Sequence, residues 1–166
     1  MQELYNEVVK LLNQLIRSSK DAMSICQKHS YNGHKRYYQV ASLCYMEKLL
    51  YFKKKVFDMF QFMPLDDSMS EPYIANSYKE HFTKWQNFLK MNIDTLTDLN
   101  KKLFAETGIE NCAITDVLCH LYKDQERTVR QVKQYNESGW NPIELHADDK
   151  ILHKKMKSKM GKRGIK

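Results

Sequence analysis

Residues 36–62 read RYYQVASLCYMEKLLYFKKKVFDMFQF, and two apolar rows run through them. Tyr38, Ala41, Tyr45, Leu49, Phe52, Val56 and Met59 recur at three-and-four spacing, and Leu43, Met46, Leu50, Phe57 and Phe60 make a second row beside the first. That spacing is the period of an α-helix rather than the alternation of a strand. Two rows mean two faces to cover. The helix therefore belongs in the middle of a bundle or beneath a partner, with Lys53, Lys54 and Lys55 marking its narrow wet side. Ordinary core packing is the expectation for the second row.

The flanking segments share this character. From Glu3 to Lys28, Leu4, Val8, Leu11, Leu15, Ala22 and Cys26 form an amphipathic stripe that ends at His29-Ser30-Tyr31-Asn32-Gly33, where Asn-Gly tolerates positive φ and lets the chain reverse. Pro64 through Pro72 interrupt the pattern, and Ser70-Glu71-Pro72 reads as the start of a third helix, carrying Tyr78, Phe82, Trp85, Leu89, Leu96, Leu99 and Leu103. Asn92 is the one place where that helix could bend. Thr107-Gly108 closes it. A fourth helix runs from Cys112 to Asn136 with Ile114, Leu118, Leu121, Gln125, Val129 and Val132 on one face, ending at Ser138-Gly139. The spacing predicts an all-α fold, an antiparallel four-helix bundle over residues 1–142 in up-down-up-down order. A short amphipathic basic helix follows over 143–157, through Leu145, Ile151, Leu152 and Met156, and a disordered basic tail over 158–166.

With 166 residues and 42% hydrophobic content there is material for one core, while five Gly and three Pro argue against collagen-like, low-complexity or turn-rich β architectures. No apolar run approaches the roughly 20 residues of a membrane span, and Met1-Gln2-Glu3-Leu4 lacks the start of a secretory signal, so an intracellular chain is expected. Cys26, Cys44, Cys112 and Cys119 contain no CxxC pair and read as reduced, mostly buried thiols.

Charge is concentrated at one end. Lys150, Lys154, Lys155, Lys157, Lys159, Lys162, Arg163 and Lys166 occur after residue 149 with no acid among them, leaving 19 of the 27 basic and all 20 acidic side chains to residues 1–149. Such a cluster gains by releasing counterions from a polyanion, so these eight residues are the candidate contact for RNA or an acidic partner. The alternative is a solubilising end with no partner. One Arg and no aromatic side chain make base-specific reading by the tail unexpected.

Catalytic machinery is harder to find. A carboxylate-bridged metal pair in a bundle needs Glu-x-x-His, and no Glu in the chain has His three residues later. The histidines lack zinc-ligand spacing, Gly161-Lys162-Arg163-Gly164 is not a phosphate loop, and no nucleophile and base stand in a telling arrangement. The expectation is no enzyme, no cofactor and no metal. Gln125 interrupts the fourth stripe at core depth; it binds a ligand within the bundle or, the favoured reading, fixes helix register as single buried amides do.

Leu96, Leu99, Ala105-Glu106, Ile114, Leu118, His120 and Asp124-Gln125, followed by Val129 and Val132, resemble the last two long helices of ferritins, and Leu12-Asn13-Gln14 is similar to their first helix. Residues 95–135 carry the likeness. It implies a ferritin-like iron-storage protein or an inert shell subunit. Where ferritins hold the Glu-Glu-x-x-His of their second helix this chain has Cys44-Tyr45-Met46-Glu47-Lys48, so only Gln125 resembles an oxidation-site residue. The link from Phe62 to Pro72 is shorter than a ferritin crossover, which favours up-down-up-down order. Phe104 to Ile109, Asp116-Val117-Leu118 and Asp124 to Arg127 also resemble a helical ribosome-maturation factor, which implies work in the nucleus or nucleolus, with the cytoplasm as the other setting. The expected function is thus a non-enzymatic helical interaction module within a protein complex, its basic end touching RNA or an acidic partner, with homo-oligomers allowed.

Overall fold

The computed structural model describes residues 1–66, 71–162 and 164. Among these residues all regular structure is helical: α1 (Gln2–Lys28), α2 (Asn32–Phe60), α3 (Tyr78–Thr107), α4 (Cys112–Glu137) and α5 (Pro142–Lys162). The first four form a bundle in which α1 packs on α2 and α3, and α4 packs on α3 and α2, while α5 lies along α2. Aliphatic side chains such as Leu12, Leu15, Leu89 and Leu96 fill the middle; Tyr5 with Phe52, Phe60 and Phe62 closes one end.

The helix order corrects the up-down-up-down expectation. The end of α3 meets the start of α1 through the Met1 amino group and Glu106 at 3.0 Å, and Tyr78, the first residue of α3, stacks on Tyr31 in the α1–α2 turn at 3.6 Å. α2 and α3 therefore run the same way, and the order is up-down-down-up. The link makes this reachable. Its described parts follow α1: the Leu65 N–H donates to Asn6, Asn13 to Asp66 and the Tyr73 N–H to Asp21. Residues 61–77 can extend to about 56 Å at roughly 3.3 Å each, against about 43 Å for the 29-residue α2.

The link looked too short because the third helix was expected to begin at Ser70-Glu71-Pro72. Glu71 and Pro72 lie outside any helix, and Ser70 lies outside the described residues. The helix begins instead at a capping box: Ser77 Oγ accepts the Glu80 N–H at 3.0 Å while the Glu80 carboxylate accepts the Asn76 N–H at 2.8 Å. Asn92 marks no break; its amide donates back to the Phe88 carbonyl within a continuous 30-residue helix.

Two further corrections concern the turns and the last helix. The left-handed residue between α1 and α2 is Ser30 (φ 65°), whereas Asn32 and Gly33 already belong to α2. Gly33 is required for another reason: a Cβ there would run into the Asp149 carbonyl oxygen of α5. α5, expected to stop at residue 157, continues to Lys162 with Met156 and Met160 packed on Val40, Met160 only 3% exposed. Residues 158–162 are thus helix rather than free tail; Arg163 and Lys166 lie outside the described residues. Gly33→Ala is expected to cost about 1–3 kcal/mol, the usual penalty for overpacking, and to expose α5 to protease. Thermal melts and limited proteolysis with mass spectrometry check this.

Candidate functional site

The end of the bundle that holds the α1–α2 turn carries a buried polar cluster that the sequence pattern did not single out. Its first part joins α5 to α2. α2 has no side-chain cap of its own, and Asp149 supplies one from 116 residues away: Oδ2 accepts the Gly33 N–H and Oδ1 the His34 N–H, both at 2.9 Å. The His34 Nδ1 lies 2.8 Å from the same Oδ1 and 2.6 Å from the Tyr78 hydroxyl. Burial lowers the His34 pKa, so the imidazole is neutral and this contact is a hydrogen bond more than an ion pair. Burial alone would raise the Asp149 pKa, but the three hydrogen bonds from His34 and Gly33 outweigh it and hold the carboxyl below its ordinary value.

A second imidazole sits beside the first. The Tyr73 hydroxyl donates to the His81 carbonyl at 2.9 Å, so it is free to accept from His81 Nδ1–H at 3.1 Å, and His81 Nε2 accepts from the Tyr38 hydroxyl at 2.7 Å. Every polar atom of the ring is matched in the neutral form. Burial, with His34 and Arg127 nearby, pushes its pKa down to about 3. The third part centres on Asp124 of α4, whose carboxylate accepts from Tyr37 and Trp85 Nε1 at 3.0 Å and from Arg127 at 3.3 Å.

Most of these groups bond to one another, while His34 Nε2 and Arg127 Nε are buried without a partner. Among the described residues no three His, Cys, Asp or Glu side chains come together in a way that could hold a metal ion. The cluster can fix helices in register, with His34 and His81 both fully buried.

Gln125, expected at core depth, is only half-buried. Its neighbour Asp124 takes the core position, since the buried row of α4 is Ala113, Ile114, Val117, Leu121, Asp124, Thr128, Val132 and Tyr135. Val129, counted in the expected stripe, is exposed. Of the expected basic contacts, Lys150, Lys154, Lys155, Lys157, Lys159 and Lys162 are all exposed on α5, arranged along a docked helix. The thiols differ from expectation too: Cys26 alone is buried, Cys44 is half-buried, and Cys112 and Cys119 are exposed. The second apolar row of α2, expected in the core, is split: Leu50 and Phe57 face outward, 64% and 44% exposed, Leu43 is half-buried, and Met46 and Phe60 pack against the core. Met59, from the first row, is exposed as well.

No family model matches the sequence, and no curated protein does. Among solved structures, an iron-soaked variant of the ferritin PmFTN is similar to this chain with a TM-score of 0.71, over 89% of this chain and 95% of its own, at 13% identity. The chain thus has a ferritin-like helical fold. No helix is long and apolar enough to cross a membrane among the described residues.

Two outcomes follow from the cluster. Tyr38→Phe leaves the buried Nε2 of His81 without its donor and is expected to cost about 1–3 kcal/mol in denaturant titration. Acid should also destabilise the fold. His81 has a folded pKa of about 3 against an ordinary 6.5, so the unfolded chain binds more protons between these values. Stability is therefore lost as pH falls through that window, by on the order of 4 kcal/mol from this group. His34 acts in the same direction. Melting temperatures from pH 7 down to 4 read the effect.

Proposed function

We propose that the protein is a non-enzymatic helical module that works by assembling. The outer row of α2 packs against a second copy of the chain, and the lysine face of α5 adds attraction to a polyanion, either RNA or an acidic protein surface. The observation that carries this reading is the exposure of Leu50 and Phe57 on a helix whose opposite face is core. Large apolar side chains grouped on a solvent face mark an interaction surface.

A second copy suits the row. Leu43, Leu50 and Phe57 stand seven residues apart, so an antiparallel pairing about Leu50 sets Leu50 on itself and Leu43 on Phe57 of the second copy. Glu47 and Lys54 flank the row along one edge, and the same pairing brings Glu47 of one copy beside Lys54 of the other. Met63 and Leu65, both exposed, add apolar area beyond the helix end.

Sedimentation equilibrium and light scattering test this. A dimer at micromolar concentration that the L50E/F57E variant converts to monomer, with little change in melting temperature, is the expected result; a monomeric wild type at high concentration overturns it. The polyanion contact is tested by neutralising Lys154, Lys157 and Lys159 to Gln. Deleting the segment is unsuitable because Met156 and Met160 hold it to α2. Affinity for RNA or polyglutamate should fall steeply with salt, and the salt slope should shrink in the variant.

Iron storage, or an inert place in a shell, is the second reading, supported by the likeness to an iron-soaked ferritin. Iron retained through gel filtration in a shell-sized particle after aerobic loading favours it; an iron-free dimer favours the first.

A further inference from the structure

Between α4 and α5 runs a groove of about 280 Å³. Arg127, Arg130 and Gln131, spaced to share one face of α4, line one wall, and Asp148, Ile151 and Lys155 of α5 the other. We propose that this groove binds the phosphate of a small phosphomonoester. The proposal stands on groups away from the α2 row and does not rest on dimerisation.

Three features carry it. The first is an arginine held in place with bonding capacity unused. Arg127 donates through Nη2 to Asp124 at 3.3 Å and has its Cζ over the Tyr37 ring, 3.7 Å from the centroid, while its Nε is buried and has no partner. The Oε1 of Gln131 is likewise buried and unpartnered in the same groove. Unmet buried polar atoms are costly, and turning these two side chains toward the groove would let a ligand oxygen meet the guanidinium N–H and, after a half-turn of the amide, the Gln131 NH₂. A phosphate oxygen suits the guanidinium N–H well, since the planar fork of arginine matches that geometry.

The second is charge. Arg127 is already paired with Asp124 at 3.3 Å, which leaves Arg130 and Lys155 facing one carboxylate, Asp148, itself accepting from the Tyr135 hydroxyl at 2.9 Å. The groove therefore keeps a net positive charge and favours an anion. The third is Ile151, 57% exposed on the wall beside these cations. It offers an apolar surface to the organic part of a phosphate ester, which inorganic phosphate lacks. The volume suits a single phosphorylated fragment.

Isothermal titration calorimetry of the full chain at low salt, with uridine 5′-monophosphate, inorganic phosphate, uridine and a 5′-hydroxyl hexauridylate as probes, tests the assignment. The expected result is one-to-one binding of the monophosphate, tighter than inorganic phosphate, with none for uridine. R130Q/K155Q should weaken it at least tenfold, whereas K157Q, outside the groove, should not. The proposal fails if the monophosphate does not bind at millimolar concentration or if R130Q/K155Q binds it as the wild type does. It also fails if only the hexauridylate binds, because that outcome describes attraction of a strand to the lysine face and not a phosphate site.

Discussion

One carboxylate fixes the relation between the last helix and the rest of the bundle. α2 begins without a capping side chain of its own, and Asp149 takes over the two N–H groups at Gly33 and His34 while bonding the His34 ring. Helix starts concentrate unsatisfied donors and partial positive charge, so a carboxylate placed there is stabilised by both. The contact needs close approach of two backbones, which only glycine at position 33 allows. Once α5 is seated, Met156 and Met160 cover Val40, and the lysines of α5 are presented outward on a rigid helix. Placement of the basic residues is thus a consequence of one buried acid.

The existence and type of the helices were legible in the periodicity, because a stripe of large apolar residues at three-and-four spacing has few other ways to be buried. The order of the helices was not. It turned on where α3 begins: Ser70-Glu71-Pro72 places a proline at a first turn, but the helix starts seven residues later, where Ser77 and Glu80 form a capping box. The capping box satisfies two donors reciprocally. A start at Ser70 makes the link too short for a crossover; the start at Ser77 leaves a link long enough to span the bundle.

The polar cluster was hidden for a different reason. Gln125 is the polar residue in the apolar stripe that the spacing predicts, but the true stripe of α4 is rotated by one residue, which places Asp124 inside. A carboxylate at core depth looks improbable until its partners are known, and those partners, Tyr37 and Trp85, come from two other helices. Likewise His81 stands between Tyr78 and Trp85 in the third stripe at the correct spacing for burial, a signal that was available; its matching hydroxyls on Tyr38 and Tyr73 were not. The outward placing of Leu50 and Phe57 was not legible, because periodicity reports which residues share a face and not what covers it.

The reach of Asp149 also has a consequence in time. Hairpins α1–α2 and α3–α4 are each joined by short turns, so their contacts can form locally as the chain emerges from the ribosome. The acid that completes the start of α2 lies 116 residues downstream of Gly33. Until it leaves the exit tunnel, those amides remain hydrated and the Val40 surface stays bare, so a nascent bundle halted before that point exposes a sticky flank to any passing chaperone.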